Sequence, residues 1–276
     1  MIHRRHMLIA LPALLAAGCS TIGHDPLAHP ELRVATYNIY HDRDRWDRRL
    51  PLILDVLREA SPDVIGLQEV LEDAATGLPN QAQTIGEALG YQVVFVSADP
   101  EGAPRRYGNA ILTRLPVIEQ DFTRLEPLDD YRTAVRVRVR VGDRLVDVVN
   151  THLHHTPEGG AIRRQQIDTL MSWLGEDHAP LIVLGDLNAN LANPEMERLQ
   201  APRFASVLPS VHPDQAAATT LNPAYGHRLD QIDHILIEQA RFEPTLAGIA
   251  GNGARDGVWP SDHFAVVGTV RLLASD

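Results

Sequence analysis

The run Arg132–Val141 alternates strictly, with Val135, Val137, Val139 and Val141 on one face and Arg136, Arg138 and Arg140 on the other. A period of two sends successive side chains to opposite faces of a sheet, so this stretch reads as a half-exposed antiparallel strand whose arginines face water. Gly142-Asp143 then turns the chain back into Leu145–Thr151 as a hairpin. Elsewhere the period changes. Trp46–Ala60 puts Leu50, Ile53, Leu54 and Leu57 on one helical face and stops before Pro62. Asn80–Leu89 and Gly160–Leu174 read as further helices. Leu32–Ile39, Asp63–Glu69, Tyr91–Ser97, Asn109–Thr113, Pro116–Phe122, Pro180–Leu184, Gln231–Ile237, Phe242–Leu246 and His263–Leu272 read as strands. Many strands, few helices and hairpin connections predict one α/β domain on mostly antiparallel sheets.

Several of these strands end in a polar residue able to do chemistry. Val34-Ala35-Thr36-Tyr37-Asn38 closes on an amide, and Val64-Ile65-Gly66-Leu67-Gln68-Glu69 on a carboxylate. Val149-Asn150-Thr151-His152 ends in an imidazole, and Val183-Leu184-Gly185-Asp186-Leu187-Asn188 in a carboxylate followed by an amide. Leu229-Asp230-Gln231-Ile232-Asp233-His234 and Ser261-Asp262-His263 follow near the C-terminus. Any one of these is most simply a turn former or a helix cap. Their order along the chain is far more specific.

In that order the set resembles the endonuclease/exonuclease/phosphatase family, the DNase I-like metal phosphoesterases, from about Leu32 to Leu272. The resemblance implies a four-layer α/β sandwich, two mostly antiparallel β-sheets face to face with helices outside and a metal site at one edge. It implies that Asn38, Glu69 and Asp262 lie at a magnesium ion, with manganese as the alternative. His152, Asn188 and Arg132 would contact the scissile phosphate, Asp186 would orient or deprotonate the attacking water, and His263 would pair with Asp233. Arg228-Leu229-Asp230 offers a second alignment, which leaves Asp230 as an alternative partner. Tyr107, within about one residue of register, matches a phosphate-contacting tyrosine of some relatives.

The chemistry fits this set. Magnesium is a hard cation that keeps several waters and binds through one or two carboxylates, so Glu69 with Asp262 is a sufficient anionic shell. Phosphate-ester hydrolysis gathers charge on non-bridging oxygens, which imidazole, amide and guanidinium donors stabilise. His152, His154 and His155 also form a His-x-His-His cluster that raises zinc as an alternative. A zinc site needs a further ligand and an ordered outer shell, and the resemblance already accounts for His152.

Composition narrows the function. All 25 basic residues are arginine against 36 acids, a formal charge of −11, so neither Schiff-base lysine chemistry nor a P-loop lysine is available. An acidic chain repels polyanions, and a phosphoester that is small or lipid-borne is expected over nucleic acid. Arg105, Arg106, Arg136, Arg138 and Arg140 could still gather into a local basic patch, which keeps an exported nuclease as the second reading. A noncatalytic binding member of the fold is the third. It is weakened because every chemistry position keeps a competent residue.

The N-terminus reads as an export signal. Arg4 and Arg5 precede the apolar run Met7–Ala17, too short to span a bilayer, and Leu15-Ala16-Ala17-Gly18-Cys19 resembles a bacterial lipobox. Residues 1–18 are then a signal peptide, Cys19 the lipidated residue, 20–31 a flexible tether containing Gly23, Pro26 and Pro30, and 32–276 the domain. The expected location is a membrane-anchored lipoprotein facing the periplasm or cell exterior. A plain secretory signal is the alternative, and the oligomeric state cannot be read from the sequence.

Overall fold

The computed structural model describes residues 30–215 and 218–274, so the signal segment, Cys19 and all of the tether before Pro30 lie outside the described residues. In chain order the elements are β1 (Glu31–Asn38), α1 (Trp46–Ala60), β2 (Val64–Asp73), α2 (Gln81–Leu89), β3 (Gln92–Ser97), β4 (Arg105–Thr113) and β5 (Val117–Arg124). There follow β6 (Thr133–Val141), β7 (Arg144–His152), α3 (Gly160–Leu174), β8 (Leu181–Asp186), β9 (Phe204–Ser206), α4 (Val207–Val211), β10 (Asp233–Glu238), β11 (Phe242–Ala250) and β12 (Ala265–Leu272). Glu31, expected in the tether, is already the first residue of β1 and pairs with Arg271 of β12.

Two six-stranded sheets result, ordered β11-β12-β1-β2-β4-β3 and β5-β6-β7-β8-β10-β9. Each is antiparallel except for one central parallel pair, β1 with β2 and β7 with β8. A parallel pair needs a crossover, and α1 and α3 supply it, so each sheet is built around one βαβ unit. The four parallel strands therefore end in Asn38, Glu69 in the continuing strand, His152 and Asp186 at one edge of the sandwich. Ligand sites of α/β sheets form at such carboxyl ends.

Three apolar clusters make the four layers. The largest lies between the sheets and includes Val34, Ile111, Val135, Val137, Val148, Ile182, Ile235 and Val266. Ile53, Leu57 and Ile85 of α1 and α2 cover the outer face of the first sheet, and Ile167, Leu170 and Leu174 of α3 cover the second. Burial of this apolar area is the main driving force for the fold. Polar bridges cross between the sheets at the site end, among them Asn109 Nδ2 donating to the Thr133 carbonyl (2.9 Å). Asn150 donates to the Leu67 and Ala110 carbonyls (both 2.9 Å) and accepts from Gln68 Nε2 (2.6 Å). Gly66 makes room for it, because a Cβ there would lie 2.7 Å from Asn150 Oδ1.

The structure corrects three local expectations. The arginines of β6 do not simply face water. Arg138 grips the buried Asp147 with two 2.8 Å bonds, and Arg136 lies over the Trp173 ring of α3, because α3 covers the face that alternation alone assigns to solvent. β2 does not stop at Glu69: it continues to Asp73 through a bulge between Leu67 and Val70, which a period-two reading cannot detect. The stretch 190–222, which shows no helical or strand periodicity in the sequence, holds β9 and α4, and β11 extends past the expected end at Leu246 to Ala250.

Candidate active site

Neighbouring strands of the first sheet bring the three expected metal-binding residues to one edge. Asn38 ends β1 and sits in register with Gln68, so Glu69 follows directly beside it on β2. The bulge turns Glu69 into the left-handed region, φ 60°, and its side chain into the cleft. Asp262 stands three residues before β12, the other neighbour of β1, and Ser261 Oγ donates to the Asn38 carbonyl (2.7 Å), tying the segment down. Asn38 Oδ1 accepts the Tyr40 N–H (3.0 Å), and its Nδ2 donates to Asp186. The donor set is two carboxylates and an amide oxygen, all hard ligands, from adjacent strands around one cleft. That is the chemistry a magnesium-sized cation requires.

The second sheet supplies the opposing wall. His152 and Asp186 are register partners at the ends of β7 and β8, and Asp233 is paired with Asp186 across β10. His263 Nδ1 donates to Asp233 Oδ2 (2.9 Å), which selects Asp233 over Asp230; Asp230 instead accepts from Asn190 and pairs with Arg228. Asp186 is the hub. Its Oδ2 accepts from Asn38 Nδ2 (3.0 Å) and lies 3.4 Å from His152 Nε2 and 3.8 Å from His263 Nε2, while Oδ1 accepts the Asn188 N–H (3.0 Å). One Asn188 amide hydrogen goes to the Leu153 carbonyl (3.0 Å), leaving the other for a ligand.

Burial sets the protonation states. Desolvation, then the Asp233 carboxylate, pushes Asp186 up to about 7, so it can accept a proton near neutrality. His152 is held well below its ordinary value by burial, reinforced by Arg132 and His263, and is a neutral imidazole. Burial also works against charge on His263, but Asp233 and Asp186 more than offset it and hold this ring cationic. Asp186, Asp233 and His263 converge closely enough to offer three donor atoms to one ion. His263 Nδ1 is committed to Asp233, while its Nε2 faces Asp186 Oδ2 at 3.8 Å, an ion-pair distance and not a hydrogen bond.

Every expected site residue of the domain lies at this edge. Glu69, Arg132, His152, Asp186, Asn188, Asp262 and His263 line one cleft of about 540 Å³, with Asn38 and Asp233 buried immediately behind. Tyr107 lines it too, and burial together with the nearby Glu69 carboxylate raises its phenol above the ordinary value. Two more histidines line the cleft: His155, which the sequence raises only within the zinc alternative, and His227, which it does not single out. His155 Nδ1 is 3.4 Å from Arg132 Nη2, and His227 Nε2 is 3.1 Å from Asp262 Oδ2. His155 carries a visible signal, three residues beyond His152, whereas His227 lies in a loop without a motif. His154 turns away from His152 and packs between Asp130 and Thr156, both at 2.8 Å, which dissolves the His-x-His-His zinc reading.

The family model described as "Endonuclease/Exonuclease/phosphatase family" matches residues 35–274. The chain belongs to that family. That family's chemistry depends on a divalent metal, for which the Asn38–Glu69–Asp262 set is suited. The fold is similar to that of the human Nocturnin catalytic domain with bound sulfate, with TM-score 0.70 at 22% identity, covering 90% of this chain and 95% of that one. It is also similar to an endonuclease/exonuclease/phosphatase from Beutenbergia cavernae, TM-score 0.70 at 24% identity, covering 88% and 72%. Sphingomyelin phosphodiesterase 5 of Danio rerio is 29% identical over 184 residues, 56% of this chain. The chain spans about a third of that relative's length, 33%.

Proposed function

We propose that this protein is an exported, magnesium-dependent phosphoesterase that hydrolyses a small or lipid-borne phosphoester by direct attack of water. The observation that carries the reading is the buried Asp186, held by Asn38, Asn188, His152 and His263 where the two sheets meet. Magnesium on Asn38, Glu69 and Asp262 would supply electrostatic stabilisation of the charge that develops on the phosphoryl oxygens. The chain's own groups do the rest. Arg132, His152 and the free Asn188 N–H hold the phosphate oxygens, and cationic His263 adds charge opposite Asp186. As the water oxygen bonds to phosphorus and the bond to the leaving oxygen breaks, Asp186 takes the water proton. The described cleft offers no serine, cysteine or threonine beside a free base as a covalent phosphoryl acceptor.

Two further features support a compact substrate over nucleic acid. The net charge is −11, and four of the five arginines that could have formed a basic patch are matched by acids: Arg105 by Asp73, Arg106 by Glu72, Arg136 by Asp121, and Arg138 by Asp147 and Glu119. No helix of the described residues is long and apolar enough to cross a membrane. Attachment through lipidated Cys19, facing the periplasm or exterior, rests on the Leu15–Cys19 motif. The test is a panel of phosphomonoesters, phosphodiesters, lipids and nucleic acid with magnesium or chelator. A chiral thiophosphate form of the preferred substrate, hydrolysed in isotopically labelled water, should then invert at phosphorus. Net retention would require a covalent intermediate and overturn direct attack.

A further inference from the structure

A second cavity, about 400 Å³, adjoins the reacting cleft and shares Tyr107 with it. Its lining is His41, Ala98, Asp99, Arg105, Tyr107 and Tyr131. The Tyr107 ring meets the His41 ring edge-on, with centroids 6.0 Å apart at 81°. Tyr131 is 64% exposed, an unusual state for a large ring, and it directly precedes the phosphate-wall residue Arg132 with its backbone at φ 55°. Three aromatic rings thus line a cavity that adjoins the cleft, and the outermost, Tyr131, is largely uncovered.

The charges around them are unbalanced. Arg105 is matched by Asp73 (3.4 Å), and His41 Nδ1 lies 2.6 Å from Asp42 Oδ1. The Asp99 carboxylate is fixed by the Tyr107 N–H (3.0 Å) and Ser97 Oγ (3.1 Å), and it has no ion-pair partner among the described residues. One unmatched carboxylate is too little for a divalent metal. Combined with aromatic faces it suits a weakly hydrated organic cation, which is attracted by ring quadrupoles and needs no directional hydrogen bonds.

We propose that this cavity is a subsite for a quaternary ammonium headgroup, a choline-like substituent carried on the phosphoester. The inference rests on the phosphoester hydrolysis proposed above and specifies its substrate class. Tyr107 links the two halves, since it lines both the reacting cleft and the headgroup cavity. Arg132 and Tyr131, adjacent in the chain, divide the substrate in the same way between phosphate and cation.

The experiment compares two chromogenic diesters on the full chain, p-nitrophenyl phosphocholine and its neutral isostere bearing a 3,3-dimethylbutyl group. The choline ester should be favoured about tenfold in kcat/KM, mostly through KM, as expected for a partly desolvated ammonium on aromatic rings. In Tyr131→Leu and Asp99→Asn the ratio of the two esters should fall toward one. Because each ratio is taken within one variant, a general loss of activity does not mimic the effect. Equal rates on both esters in the wild type, or an unchanged ratio in both variants, overturns the subsite. Vesicles of phosphatidylcholine run beside soluble glycerophosphocholine show whether the headgroup arrives on a membrane or in solution. Bis(p-nitrophenyl) phosphate separates the two claims. Its turnover without a choline preference refutes the subsite alone, whereas no turnover of any ester refutes the hydrolysis reading. In that second case calorimetry with phosphocholine decides the subsite: binding weakened by Tyr131→Leu supports it, and binding absent or insensitive to that change overturns it.

Discussion

Asp186 shows how one carboxylate acquires a catalytic character from its surroundings. Its oxygens accept from Asn38 and Asn188, which orient it, while burial and Asp233 make it a better base than an exposed aspartate. Asp186→Asn keeps the shape and removes the proton acceptor. It should lower kcat by about 10²–10⁴-fold with little change in KM, the signature of an interaction made mainly in the transition state. Steady-state kinetics on the preferred substrate checks this, and a change confined to KM would remove Asp186 from the base role. Positive φ occurs at the non-glycine residues Glu69 and Asn188 in the same cleft and at His41 and Tyr131 in the adjoining cavity. Such conformations cost energy and persist where the surroundings over-determine them, as the bulge does for Glu69.

Among the elements, α1 and α3 do more than cover the sheets. Each carries a fully buried arginine toward the site loops. Arg49 of α1 donates to the carbonyls of Ile39, Tyr40, His41, Arg43 and Pro260, fastening the loop after Asn38 to the segment before Asp262. Arg163 of α3 donates to the His154 and Thr156 carbonyls and pairs with Glu195 (2.7 Å), holding the loop that follows His152. Burial would raise the Glu195 carboxyl, but Arg163 more than offsets it and the group is held below its ordinary value. The folded value is depressed, so the stabilisation is full above the unfolded carboxyl value and is lost as pH falls through the folded one. Glu195→Gln should cost about 2–3 kcal/mol at neutral pH. Its deficit against the wild type should shrink below about pH 4, as urea unfolding across pH would show.

For the molecule as a whole, the core and the metal set are separate. The apolar clusters close without Glu69 or Asp262, so the fold does not depend on an ion at the rim. Glu69→Ala should abolish magnesium-dependent turnover while the protein still unfolds in one cooperative transition near the wild-type temperature; near wild-type activity in this variant would displace Glu69 from the metal. The proposed anchor is tested by fractionation. Wild-type protein should sediment with membranes and Cys19→Ala should not, since several acyl chains anchor stably where one does not. Wild-type protein found wholly in the soluble fraction would favour a plain secretory signal.

Periodicity in the sequence was enough to place most strands and all three long helices, because alternation and the helical repeat are local consequences of which side chains meet the core. The order of polar strand ends was enough to nominate Asn38, Glu69, His152, Asp186, Asn188, Asp233, Asp262 and His263, since each stands at or just beyond a readable strand. Five things were decided only in the folded molecule. The choice of Asp233 over Asp230 depends on β10 pairing with β8, a contact between distant segments. The burial of Arg49 and Arg163 depends on loop carbonyls converging from far along the chain, and alternation cannot reveal that α3 covers the arginines of β6. His227 reaches Asp262 across 35 residues, and the Tyr107–Tyr131 cavity joins a strand to a loop that share no pattern. Local periodicity encodes which face is buried, whereas a partner's identity is fixed only when non-local strand pairing brings two segments together.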